Sequence, residues 1–129
     1  MTHMPRIAII GAGFSGIRTA KALKQRGLDF VVLEKSSVVG GNWAFQNPNG
    51  LSAAYRSLHI DTSKERLQFD GFPMPENYPV YPHHSHLFDY ANAVVDHFDL
   101  RRHIRFQTGV AKAEHLAGDG WTLTLDDGQ

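Results

Sequence analysis

The chain has 129 residues, with 13 basic and 13 acidic side chains for a formal net charge of zero, and no cysteine. That length suits one domain, able to bury roughly two-thirds of its unfolded surface. The charge balance implies no basic face for nucleic acid or an anionic membrane, while the missing cysteines exclude disulfides and thiolate metal sites and fit a reducing cytoplasm.

The first predicted element is a strand at residues 6–10, whose Ile7-Ala8-Ile9-Ile10 run lacks polar alternation. Such a run is expected of a strand buried on both faces. It meets Gly11-Ala12-Gly13-Phe14-Ser15-Gly16, three glycines in G-x-G-x-x-G spacing. A helix over residues 14–26 then places Ile17, Ala20 and Leu23 at helical period, and Gly27 ends it. A second apolar run closes on Glu34, 18 residues after Gly16. Strand, glycine turn, helix, strand and acid form a βαβ unit that binds a dinucleotide. Gly11 permits the tight turn, Gly13 leaves room for a pyrophosphate, and Gly16 lets the helix approach the strand. The helix N-terminus offers free N–H groups and a positive dipole end, and Glu34 can accept hydrogen bonds from ribose hydroxyls.

Residues 36–85 show little regular pattern. Five prolines and seven aromatics crowd this stretch, so it reads as an ordered excursion covering a ligand rather than as disorder. A helix over 85–98 carries Leu87, Tyr90, Ala91, Val94, Val95 and Phe98 on one side. A third strand is expected at 104–107, and a hairpin at 110–114 and 121–125 around Gly118-Asp119-Gly120. Asp126-Asp127-Gly128-Gln129 is a further turn signal. Strand order 3-2-1 would leave one edge of strand 1 unpaired. No run of about 18 apolar residues exists, so no membrane span is expected, and nothing at the N-terminus suggests export.

Taken together, the pieces resemble the N-terminal, FAD-binding part of the flavin-containing monooxygenases, class B flavoproteins that use FAD and NADPH. The resemblance rests on the glycine motif, Glu34-Lys35, Gly40-Gly41-Asn42-Trp43 and Tyr55-Arg56-Ser57-Leu58. It continues through Asp61-Thr62-Ser63-Lys64, Phe72-Pro73-Met74-Pro75 and Tyr81-Pro82-His83-His84-Ser85. The Tyr-Pro-Gly usual in the related Baeyer–Villiger monooxygenases is not visible, which favours the first group.

The resemblance implies an α/β, Rossmann-like FAD-binding unit over residues 1–129, incomplete and without an NADPH-binding domain. It places the FAD pyrophosphate on Gly11, Ala12, Gly13, Phe14, Ser15 and Gly16, ribose on Glu34 and adenine beside Lys35 and the backbone of Val110. Gly41, Asn42, Trp43, Asp61 and Thr62 fall near the isoalloxazine. The implied activity of the full-length enzyme is oxygenation of a soft nitrogen or sulfur nucleophile, or of a ketone, through a C4a-peroxyflavin formed when oxygen adds to the flavin that NADPH has reduced.

Two departures qualify that picture. Asp61 stands where the family often has Asn, and an ionised carboxylate only accepts hydrogen bonds; burial would have to keep it protonated beside a developing negative charge. Asp61 is therefore the catalytic candidate with an altered role. The family's second glycine-rich motif and the Phe-x-Gly-x-x-x-His fingerprint are not found in these residues. The isolated chain is expected to be marginally stable and inactive, to hold FAD weakly, and to self-associate through its uncovered strand edge. A nucleotide-binding module without turnover is the alternative. A disulfide reductase of the two-dinucleotide type is disfavoured by the lack of a Cys pair.

Blander readings apply elsewhere. His83, His84 and His86 read as a polar entry to a helix rather than as metal ligands, which must converge, and His59 reads as structural. The stretch from Phe72 to Pro82 reads as a packed loop. Lys64, Arg66, Arg101, Arg102 and Arg105 read as a solvated surface.

Overall fold

A computed structural model of the chain describes residues 5–118 and 120–129. Strand β1 (Ile7–Ile10) leads through the glycine turn into helix α1 (Phe14–Gln25), and β2 (Phe30–Leu33) returns parallel to β1 with Ile9 beside Val32. After a 3₁₀ turn at Gly41–Trp43, a short helix α2 (Lys64–Leu67) and the long helix α3 (His84–His97), strand β3 (Ile104–Arg105) pairs parallel with the other side of β2. The sheet order is thus the expected 3-2-1. Strands β4 (Val110–Leu116) and β5 (Gly120–Leu125) form a separate antiparallel hairpin. Asp119, expected in the turn, lies outside the described residues.

Helix α1 stops where Gly27 takes a left-handed φ of 69°. The Gly27 N–H then donates to the Lys24 carbonyl and the Leu28 N–H to the Leu23 carbonyl, which satisfies the helix's last acceptors. Its inward side meets the sheet: Ile17 and Ala20 share one buried cluster with Ile9, Phe30 and Val32, and with Leu87, Tyr90 and Val94 of α3.

The expectation that strand 1 is buried on both faces is corrected. Ile9 is buried, but Ala8 and Ile10 are exposed, Ile10 by 59%. The helices cover only the Ile9 face, and β1 pairs with β2 alone among the described strands. Strand 3 is also shorter than expected, because Gln107 turns to a φ of 52°. Pairing nevertheless continues past it, with the Gln107 N–H donating to Ser36 O and the Thr108 N–H to Glu34 O. The hairpin is longer at its tip than expected, and most of its residues are exposed.

Residues 36–85 are ordered by packing rather than by ladders. Phe69 and Met74 are buried. The Tyr90 hydroxyl accepts from the Phe69 N–H at 2.8 Å and donates to the Phe72 carbonyl at 2.6 Å. The aromatic rings of Phe14, Phe69 and Tyr90 meet edge-on or tilted around this point. Lys64 is not merely solvated: its ammonium donates to the Glu76 and Tyr78 carbonyls and ties down the proline-rich loop. Arg101 and Arg102 pair with Asp96 and Asp99 at the exposed surface.

Burial pushes the Tyr90 phenol above its ordinary value, against the opposing pull of the Phe69 N–H and Arg18. The folded phenol holds its proton more tightly than the unfolded one, so its share of stability is complete below a pH of about 10 and is lost as pH rises further. Tyr90→Phe leaves the buried Phe69 N–H unpaired and is expected to cost about 1–3 kcal/mol. Urea unfolding at neutral pH checks the loss, and the variant's stability should fall less steeply than the parent's above that pH.

Candidate functional site

The site is a groove of about 380 Å³ whose lining includes Gly11, Gly13, Ser15, Gly16, Asn42 and Trp43. One wall is the turn from β1 into α1. Gly11 takes a φ of 98°, and its N–H donates to the Leu33 carbonyl, which carries the β1–β2 ladder one step past the strand. Gly13 caps α1 and receives the Ile17 N–H on its carbonyl. A β-carbon on Gly16 would collide with the Gly11 carbonyl oxygen, so the helix can begin this close to the strand only with glycine there.

The opposite wall is Gly40-Gly41-Asn42-Trp43. Gly40 and Gly41 have φ values of 106° and 57°, a region that L side chains reach at a cost. The two walls nearly touch: a β-carbon on Gly41 would lie 3.2 Å from the Gly13 Cα, and one on Gly13 would lie 3.9 Å from the Gly41 Cα. Asn42 is exposed and tethers the following loop, its Oδ1 accepting from the Ala53 N–H and its carbonyl from the Ser52 hydroxyl. Trp43 is half-buried. It stands between this groove and an apolar hollow of about 320 Å³ lined by Val38, Phe45, Pro48 and Phe88 among others.

Glu34 is buried at the end of β2, and both its oxygens are engaged. Oε1 accepts from the Ala12 N–H and Oε2 from the Ser36 N–H, each at 2.7 Å. Sequence reasoning assigned Glu34 to a ribose and did not foresee this clamp on the glycine turn. Each oxygen keeps a second lone pair for a ligand hydroxyl. Lys35 and Val110 come to the same corner: Lys35 Nζ lies 3.9 Å from Asp126, whose N–H donates to the Gly109 carbonyl.

Asp61 and Thr62 do not line the groove itself. Both are exposed, on the loop whose Ile60 N–H donates to the Pro82 carbonyl. The histidines do form a polar entry to a helix, one residue earlier than expected. His83 is the N-cap of α3, accepting from the Ser85 N–H, and His86 accepts in return from the His83 N–H. His83 and His84 both donate through Nε2 to the Arg56 carbonyl, and His59 Nδ1 meets the Tyr81 carbonyl at 2.7 Å. Two buried polar residues beside the groove, Ser36 and Asn47, were missed. They belong to no motif spacing, and only a count of polar groups in the folded interior reveals them.

Chemically, the groove presents backbone N–H groups, a helix N-terminus and glycine-bare walls, which together suit an elongated anionic diphosphate. Glu34→Ala is expected to leave two buried N–H groups unpaired and to destabilise the chain by at least about 2 kcal/mol. Glu34→Gln keeps one acceptor oxygen and should lose about half as much. Denaturant midpoints of the two variants check the order, and equal losses would contradict it.

Comparison with known proteins agrees with this architecture. Residues 4–122 match the family described as flavin-binding monooxygenase-like. Flavin-containing monooxygenase 5 of Cavia porcellus is 40% identical over 111 residues, covering 84% of this chain and 21% of that protein. Among solved structures, S-allyl-L-cysteine S-oxygenase from Allium sativum superposes with a TM-score of 0.82 at 26% identity, over 95% of this chain and 32% of its own. OTEMO in complex with FAD and NADP gives 0.81 at 28% identity, over 98% and 24%. The chain spans about a fifth of the length of the curated relatives it matches. The chain belongs to the flavin-binding monooxygenase-like family.

Proposed function

We propose that residues 1–129 are the FAD-binding module of a flavin-dependent monooxygenase that oxygenates a soft nitrogen or sulfur nucleophile, or a ketone. The observation that carries this reading is the groove between Gly11–Gly16 and Gly40–Trp43, with Glu34 buried behind it. The residues fit FAD. Gly13 and Gly41 are bare where a β-carbon would fill the narrowest part of the cradle. The N-terminal N–H groups of α1 suit a pyrophosphate, and the free lone pairs of Glu34 suit a ribose. Lys35 and Val110 would hold the adenine end, and Asn42 and Trp43 the isoalloxazine end. FAD and NADP are both present in the OTEMO structure, which supports FAD here and NADPH as reductant in the full-length enzyme.

When bound, the flavin supplies the redox and oxygen-activating chemistry. This chain's residues bind it, orient it and set the wall against which it lies. Within these 129 residues there is no second glycine-rich dinucleotide motif, so turnover with NADPH is not part of what they do alone. The open edge of β1, beside the exposed Ile10, is proposed to pair with a further strand, from another copy when the chain is isolated. A cytoplasmic setting, expected from the cysteine-free composition, belongs to the same proposal.

Titrating the purified chain with FAD is expected to give weak but saturable quenching of flavin fluorescence, no NADPH consumption, and a concentration-dependent sedimentation coefficient. Absence of any saturable FAD signal would overturn the FAD reading; a strictly monomeric chain would overturn the strand pairing. Asp61 is proposed to face the reacting end of the flavin once the remaining polypeptide covers it. In the full-length enzyme, Asp61→Asn should then change both the rate and its pH profile, and an unchanged profile would remove Asp61 from the catalytic role.

A further inference from the structure

Behind the groove runs a closed circuit of buried and part-buried hydrogen bonds that no glycine motif accounts for. The Ala12 N–H donates to Glu34 Oε1, and Glu34 Oε2 receives the Ser36 N–H. The Ser36 hydroxyl donates to Asn47 Oδ1. Asn47 Nδ2 donates to the Gly41 carbonyl at 3.0 Å, and the neighbouring Gly40 N–H donates back to the Ala12 carbonyl at 2.9 Å. Ala12, Glu34, Ser36 and Asn47 are all buried.

The direction of each bond is determined. Asn47 Oδ1 also accepts from the Asn49 N–H, a group that can only donate, and Nδ2 faces a carbonyl that can only accept. The Ser36 Oγ accepts from the Val38 N–H, which leaves its proton for Asn47. One side of the circuit grips the glycine turn through Ala12; the other grips two consecutive residues of the facing wall, through the Gly40 N–H and the Gly41 carbonyl. Those two glycines sit at positive φ and have no side chains of their own to hold them. In a buried setting, each satisfied bond is strong and each broken one costly.

We infer that Ser36 and Asn47 are positioning residues that hold the Gly40–Trp43 wall at a set distance from the Gly11–Gly16 turn, and so select for a ligand spanning both walls. The inference rests on the FAD reading above. A ligand that touches only the turn and Glu34, such as ADP, depends little on the strut. FAD, which must also lie against Asn42 and Trp43, depends on it strongly.

The test compares FAD and ADP affinity in the parent chain, in Asn47→Asp and in Ser36→Ala. Asn47→Asp preserves size but sets a carboxylate oxygen against the Gly41 carbonyl; Ser36→Ala removes one link without adding charge. Asn47→Asp is expected to weaken FAD about tenfold or more while ADP changes less than about threefold, with Ser36→Ala shifting in the same direction by less. Without ligand, amide hydrogen exchange at Ala12 and Gly40 should accelerate in both variants while the amides of α3 keep their protection. Should Asn47→Asp fail to fold, Ser36→Ala carries both measurements. A parent that binds no FAD overturns the FAD reading itself. A parent that binds FAD, with variants showing an unchanged FAD-to-ADP ratio and unchanged exchange at Gly40, overturns the strut alone.

Discussion

The backbone of Ala12 is the constraint on which the site depends. Its N–H is held by the Glu34 carboxylate at the end of β2, and its carbonyl by the Gly40 N–H of the facing wall. Ala12 is fully buried, so neither group can turn to water, and an unpaired one would cost as much as a lost hydrogen bond. The end of β2 and the Gly40 wall that follows it must therefore meet Ala12 before the turn between β1 and α1 takes its shape. The glycines around it serve that meeting: Gly16 admits the helix against the Gly11 carbonyl, and Gly41 admits the far wall against Gly13. The groove is what remains between backbones that side chains would otherwise have kept apart.

The same economy of polar groups explains how the stretch between β2 and α3 keeps its place without strands. Its backbone is satisfied by side chains from regular elements. Tyr90 serves both Phe69 and Phe72, two imidazoles at the start of α3 share the Arg56 carbonyl, and Lys64 holds two carbonyls of the proline-rich loop. Long helix α3 thus acts as a spine: apolar on the side that meets α1 and the sheet, polar where it reaches the excursion. Helix α3 also adjoins the groove wall at Gly40, where an added β-carbon would lie 3.3 Å from the Phe88 ring.

The sheet is covered unevenly. Helices bury the Ile9 and Val32 side, whereas Ala8 and Ile10 look outward and β1 has one unpaired edge. An apolar run without alternation predicts burial on both faces because such runs belong to strands flanked by two layers. Here the described residues supply one layer. Among them, no helix is long and apolar enough to cross a membrane.

Local pattern determined much of this protein. The apolar period marked α1 and α3 to within a residue or two, because a helix face must bury every third or fourth side chain. Glycine spacing located the turn, because few other residues tolerate its φ values and close contacts. Glu34 was legible as the acid that ends β2, though not as the clamp on Ala12. Tertiary structure alone decided the rest. The His83 cap, the stitching role of Lys64, the exposure of Ala8 and Ile10, and the Ser36–Asn47 strut depend on which groups the folded chain sets side by side and which it leaves to water. A single polar side chain carries no trace in the sequence of the partner it will find. Only the closing of the fold, by removing water from Ser36 and Asn47, made their pairing obligatory.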